Sequence, residues 1–112
     1  MLSVSNSEPL ELEIRPDRAR VIVALRGELD LASVDNVRAT IGHLYADDWQ
    51  AVVLDLRELT FIDSTGLSML LDAERTARRH GATFAIANGS TDVERLLAVV
   101  GLTEHFARTR LS

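Results

Sequence analysis

Ala51-Val52-Val53-Leu54-Asp55-Leu56, followed within a few residues by Thr60-Phe61-Ile62-Asp63-Ser64-Thr65-Gly66-Leu67, decides the fold of this chain. The first segment is almost continuously apolar, the pattern of a central strand covered on both faces. The second opens an amphipathic segment with helical spacing, running from about Ser64 to His80. A buried strand followed directly by a helix is the unit of an α/β sheet. The turn between them carries a carboxylate (Asp63), a small hydroxyl (Ser64) and a glycine (Gly66). Asp63 is placed as the helix N-cap. A hydroxyl on a surface loop at a helix N-terminus suits phosphorylation, because the phosphate meets free N–H groups and the positive end of the dipole. The same context equally suits a plain capping hydroxyl. Gly66 fits close backbone approach in the first helical turn.

Outward from this unit the pattern alternates. Leu10-Glu11-Leu12-Glu13-Ile14 has the period of a half-buried strand, Pro16-Asp17 signals a turn, and Ala19 to Leu25 forms a second strand, so the two make a hairpin. Gly27-Glu28-Leu29-Asp30 ends the second strand. Val34, Val37, Ile41 and Leu44 then recur at helical spacing, with Asp30 or Ser33 as N-cap, and Ala46-Asp47-Asp48 closes that helix. In the helix after Ser64, Leu67, Leu70, Leu71, Glu74 and Arg78 share one side, which confines the apolar face to the first two turns. Gly81 fits its C′ position, after a basic last turn that suits the dipole. Thr83 to Ala87 reads as a strand. Thr91-Asp92-Val93-Glu94 has capping-box spacing before a third helix with Val93, Leu96, Leu97 and Val100 on one face. Gly101-Leu102 fits a Schellman stop, and Phe106 to Arg108 a short fifth strand. The expected fold is therefore α/β: one domain over residues 9–112, with a mixed, mostly parallel sheet of four to five strands, an N-terminal hairpin and helices packed on the sheet. Residues 1–8 are expected to form a flexible tail. The second and third strands should run parallel. The loops Gly27–Asp30 and Asp63–Gly66 then share one edge of the sheet, where sites in α/β folds concentrate.

Composition narrows the function. The chain has 112 residues, 46% hydrophobic and 26% charged, the balance of one globular domain. A net charge of −5 disfavours nucleic acid as a partner. Without cysteine there is no disulfide, thiolate metal site or thiol nucleophile. All 12 basic residues are arginine, so lysine chemistry is absent. The longest apolar run, around Leu96 to Val100, is far shorter than the roughly 18–20 residues a membrane helix requires, and no signal-peptide pattern opens the chain. The expected setting is cytoplasmic, with no membrane partner. His43, His80 and His105 lack ligand spacing, so neither a metal nor another cofactor is expected. There is no Gly-x-Ser-x-Gly elbow for a serine hydrolase, Thr65 interrupts an aspartic-protease triplet, and a receiver domain requires a lysine. The expectation is a protein that is not an enzyme. Asp55, isolated in an apolar strand, is expected to brace a loop backbone by hydrogen bonds rather than to contact a partner, since a buried carboxylate needs such bonds. Trp49 should pack at a sheet end, and Arg75, Arg78 and Arg79 should form a solvated helix end.

Four blocks together carry a family likeness: Gly27-Glu28-Leu29-Asp30; Val53-Leu54-Asp55-Leu56; Phe61-Ile62-Asp63-Ser64-Thr65-Gly66-Leu67; and Val93-Glu94-Arg95-Leu96-Leu97 with Gly101-Leu102. In order and spacing they resemble the anti-sigma-factor antagonists (anti-anti-sigma factors), a branch of the STAS domains. The likeness runs from about residue 9 to 110. It implies a partner-switching cycle. The unmodified protein binds an ATP-binding anti-sigma factor serine kinase and so releases a sigma factor. The kinase phosphorylates Ser64, with Thr65 as the alternative acceptor, and the complex dissociates. A PP2C-type phosphatase then removes the phosphate. Asp30, Asp63, Ser64, Thr65 and Gly66 are the implied partner-binding positions, Asp30 through the family's use of the equivalent aspartate at the kinase contact. The resemblance also covers accessory subunits of lipid-transport ABC systems and stressosome-type scaffolds, although lipid-system subunits often carry threonine in place of Ser64.

Overall fold

The strands of this protein follow one another across the sheet in sequence order, and that order decides where everything else lies. The computed structural model describes residues 9–111; the expected tail over 1–8 lies outside the described residues. In chain order the elements are β1 (Glu11–Asp17), β2 (Arg20–Leu29), α1 (Val34–Ala46), β3 (Ala51–Ile62), α2 (Ser64–Arg79), β4 (Thr83–Ala87), α3 (Thr91–Val99) and β5 (Arg108–Thr109). They form one sheet in the order β1-β2-β3-β4-β5. β1 pairs antiparallel with β2, and every later pair is parallel. The three parallel crossovers step in the same direction, so a common handedness puts all three helices on one face.

The core has the composition this topology demands. One alternating set of strand residues, Val21, Val23, Leu25, Val52, Leu54, Leu56, Phe84 and Ile86, forms a single cluster with Val37 and Ile41 of α1, Met69 and Leu70 of α2, and Val93 and Leu97 of α3. The opposite set includes Ile22, Ala24 and Val53, which are also buried but lie outside that cluster. Asp55 sits on this second face, in register with Ala24.

The hairpin, the two parallel loops and the mostly parallel sheet are as the sequence implies; several boundaries are not. Pro16 and Asp17 lie within β1, with Pro16 in register with Val21, and the turn falls at Arg18-Ala19. An edge strand tolerates proline because one side of its backbone has no ladder to complete. β2 continues past Leu25 to Leu29, and β3 past Leu56 to Ile62. Register shifts between Ala24 and Arg26 and between Gly27 and Glu28 carry the pairing through these polar ends. Each bulge accommodates one extra residue on β3, so strict alternation fails while the strands continue. The apolar face of α2 does not stop after two turns, because Ala73 and Ala77 extend it to the helix end. The cap of α3 is Ser90, whose hydroxyl accepts from Val93 N–H at 3.4 Å, rather than Thr91. β5 is Arg108–Thr109, displaced from the expected Phe106–Arg108. Both expected glycine stops are Schellman caps, with Ala82 N–H on Ala77 O (2.9 Å) and Leu102 N–H on Leu97 O (2.8 Å).

Two buried or half-buried carboxylates hold backbone groups in and beside the sheet. Asp55 is 7% exposed. Its Oδ1 accepts from Arg57 N–H (3.1 Å) and Nε (2.9 Å), and its Oδ2 from the other arm of the guanidinium (2.9 Å). It therefore braces the backbone as expected, although that backbone belongs to β3 rather than to a loop. Glu94 receives a bidentate pair from Arg108 (2.7 and 3.1 Å) and the Gly89 N–H (2.7 Å), tying the start of α3 to β5. The Arg57 hydrogen bonds hold the Asp55 carboxyl below its usual value, against the opposing effect of burial. A depressed folded pKa means that the stabilisation is complete above the unfolded carboxyl pKa and lost as pH falls through the folded value. The stability advantage of the wild type over Asp55→Asn should therefore be constant near neutrality. It should shrink as pH falls below about 4. Thermal melts of the two proteins across pH check this, and a difference independent of pH would refute it.

Candidate functional site

The site lies at the carboxyl edge of β2 and β3, where Leu29 and Ile62 are register partners and Asp63 N–H donates to Leu29 O at 3.3 Å. The two loops expected to share an edge are therefore tied together by backbone. Gly66 brings them closer still. A Cβ on Gly66 would stand 2.8 Å from Leu29 O and 2.9 Å from Ile62 Cγ1, so only glycine lets the first turn of α2 rest on the end of β2. Gly66 is buried, and its contribution is this approach rather than a surface.

Asp63 caps α2. Its backbone is extended (φ −110°, ψ −173°), its Oδ1 accepts from Gly66 N–H at 2.9 Å, and its carbonyl accepts from Leu67 N–H at 3.0 Å. Ser64 is thus the first helical residue, not the cap. It is exposed, and its hydroxyl makes no hydrogen bond to any of the described residues. Thr65 is half-buried beside it.

Asp30 stands on the neighbouring loop. Its Oδ1 accepts from Ala32 N–H at 3.0 Å, and its carbonyl accepts from Ser33 and Val34 N–H, both at 3.0 Å. Ser33 occupies the N-cap position of α1 without a side-chain capping bond. Its hydroxyl turns back instead, accepting from Asp30 N–H (3.0 Å) and lying 2.9 Å from Glu28 O. Neither of the two expected caps therefore caps α1 through its side chain; both hold the turn that presents Asp30.

Between the two loops lies an open concavity of about 530 Å³, lined by Glu28, Asp30, Leu31, Ala32, Phe61 and Asp63. The fold thus brings Asp30 and Asp63 to one surface, with Ser64 following directly at its margin. The sequence reading singles out neither Leu31 nor Phe61. The available signal is that Leu31 precedes Ser33, ahead of the first residue of α1, and that Phe61 is an aromatic within a polar strand end. The histidines lie elsewhere: His80 stacks on Tyr45, and His105 meets Glu74 at 2.8 Å. Among the described residues no group of three or more His, Asp or Glu side chains is placed to hold a metal, and no helix is long and apolar enough to cross a membrane.

The model of the STAS domain matches residues 10–112, nearly the whole chain. The chain belongs to the STAS domain family. Among its relatives is the anti-sigma F factor antagonist of Paenibacillus polymyxa, 33% identical over 94 residues that span 83% of this chain and 80% of that protein. The anti-sigma-F factor antagonist RsfB of Mycobacterium tuberculosis is 24% identical over 103 residues, 92% of this chain and 84% of RsfB. The solved structure of an anti-sigma factor antagonist from Mycobacterium paratuberculosis shares the fold with a TM-score of 0.80 at 21% identity, covering 92% of this chain and 87% of that one. The antagonist SpoIIAA in its unphosphorylated form superposes with a TM-score of 0.75 at 24% identity, over 93% and 89% of the two chains. This STAS domain therefore carries its acidic, partly apolar concavity and exposed Ser64 on a fold shared with proteins named for antagonising anti-sigma factors.

Proposed function

We propose that this STAS domain is an anti-sigma-factor antagonist switched by phosphorylation of Ser64. Unmodified, it binds an ATP-binding anti-sigma serine kinase and releases the sigma factor; a PP2C-type phosphatase resets it. The observation that carries the reading is the division of labour at the turn. Asp63 does the capping, which leaves the Ser64 hydroxyl exposed and uncommitted at the head of α2. Asp30, Asp63 and Thr65 face the same partner, with Gly66 setting their spacing.

Phosphoryl transfer requires the Ser64 hydroxyl to approach the γ-phosphate of the kinase-bound nucleotide in line. After transfer the same point holds a phosphoserine carrying about −1.5 to −2 charges beside the remaining nucleotide phosphates. Repulsion and bulk then separate the proteins. Within the domain the added charge meets the N-terminus of α2, whose dipole favours it by roughly 0.3–1 kcal/mol, with Asp63 opposing. The phosphorylated domain should therefore stay folded, melting within about 10 °C of the unmodified form, where 1 kcal/mol is worth roughly 4–8 °C. The test is incubation with ATP and the anti-sigma kinase of the same genome, followed by peptide mapping. Phosphate at Ser64, absent in Ser64→Ala and removed by the phosphatase, is the expected result. Phosphate at another position, or none, overturns the assignment.

A further inference from the structure

We propose that Leu31 and Phe61 are the apolar anchors of the docking surface, and that it takes a partner face with an apolar recess bordered by basic side chains. This rests on the antagonist reading above and specifies how the kinase is held. Isolated exposed apolar residues are ordinary on a protein surface. Here two of them, Leu31 at 74% and Phe61 at 44% exposure, line one concavity beside the phosphoacceptor.

Rigid backbone holds both side chains outward. Leu31 sits on the turn closed by Ser33 N–H on Asp30 O and by Ala32 N–H on the Asp30 carboxylate. Phe61 becomes the register partner of Glu28 only because the β2–β3 pairing skips Thr60, with Gly27 opposite Leu59 and Glu28 opposite Phe61. A bulge of this kind re-aims a side chain. Neither residue belongs to the core cluster. Pre-ordered apolar anchors lose little freedom on association, the condition under which a few side chains dominate binding.

The surrounding charge selects the partner. Glu28, Asp30 and Asp63 line the concavity, and no arginine does. A basic rim on the partner complements it, speeds encounter and makes association salt-sensitive. The other exposed pair, Val99 and Val100, ends α3. That helix starts at the carboxyl edge of the sheet and runs back from it, so Val99 serves as a control.

The experiment is calorimetric titration of the purified anti-sigma kinase with wild type, Leu31→Ala, Phe61→Ala, Val99→Ala and Ser64→Asp at two salt concentrations. Leu31→Ala and Phe61→Ala should each weaken binding at least about tenfold without changing the melting temperature. Val99→Ala should bind as wild type does, and added salt should weaken the wild-type complex. If Ser64→Asp abolishes binding while Leu31→Ala and Phe61→Ala match wild type, the anchors are wrong and the switch stands. If the kinase does not bind wild type, or binds Ser64→Asp equally, the antagonist reading fails and takes the anchors with it. Sedimentation of the wild type as a dimer that Leu31→Ala or Phe61→Ala dissociates would assign the surface to a second copy of this chain, and so overturn the proposal.

Discussion

Ser64→Asp should abolish capture of the anti-sigma kinase, with affinity reduced about a hundredfold or more, whereas Ser64→Ala should stay within a few-fold of wild type. The asymmetry follows from where the hydroxyl stands. It makes no hydrogen bond among the described residues and Asp63 supplies the helix cap, so removing the oxygen costs the fold little. Adding a carboxylate puts a fixed negative charge at the point that, in the proposed cycle, approaches nucleotide phosphate. Like charges juxtaposed at an interface cost several kcal/mol, and about 3 kcal/mol is roughly a hundredfold in affinity. Titration of the purified kinase with the three proteins in ATP or ADP measures this directly. Equal affinities for all three would reduce Ser64 to an ordinary first-turn serine. Retention of a transporter ATPase in place of a kinase would move the protein to the lipid-transport branch of its family.

The second large effect is on stability. Gly66→Ala should destabilise the domain by about 2–3 kcal/mol, the usual cost of forcing atoms into a packed site. For a chain of this length that is a fall in melting temperature of roughly 10–20 °C. The new methyl would meet Leu29 O at 2.8 Å and Leu29 Cγ at 3.0 Å; a backbone oxygen cannot rotate away as a side-chain end can. Relief requires α2 to move off the end of β2, which also separates Ser64 from Asp30 and weakens partner binding below the melting temperature. Gly42→Ala is the matched control. Gly42 lies inside α1 and a Cβ there meets nothing within 4 Å, so alanine should stabilise by about 0.5–1 kcal/mol through backbone entropy alone. Similar melting shifts for the two variants would refute the steric account of Gly66.

The elements that sequence reading places well are those whose signals are local. The Leu12 to Ile14 alternation, the helical spacing of Val37 and Ile41, the Asp63 cap, and the glycines that end α2 and α3 all act within one or two turns of chain. The readings that fail depend on a partner elsewhere. Arg57, Glu58 and Thr60 fall outside the apolar run Ala51–Leu56, yet they continue β3 because β2 supplies their ladder through two bulges. Ala73 and Ala77 carry little apolar weight on a helical wheel, yet they are buried because α2 lies close against its neighbours. Thr91 matches a capping box by spacing, but Ser90 is the residue with extended backbone geometry, and Glu94 is drawn to Gly89 and Arg108 instead.

The site divides in the same way. Sequence alone determined the strand–turn–helix unit, the positions of Asp30, Asp63 and Ser64, the shared edge of their loops, and a family likeness across the chain. Those features are written in hydrophobic period, turn chemistry and residue order, which do not depend on contacts distant in the chain. Only the tertiary structure decided that the Ser64 hydroxyl takes no part in the cap, that Gly66 sets the distance between the loops, and that Leu31 and Phe61 stand together among three carboxylates. Each of these is fixed by strand register and by the approach of α2 to β2, geometry that exists only once segments about 35 residues apart have paired.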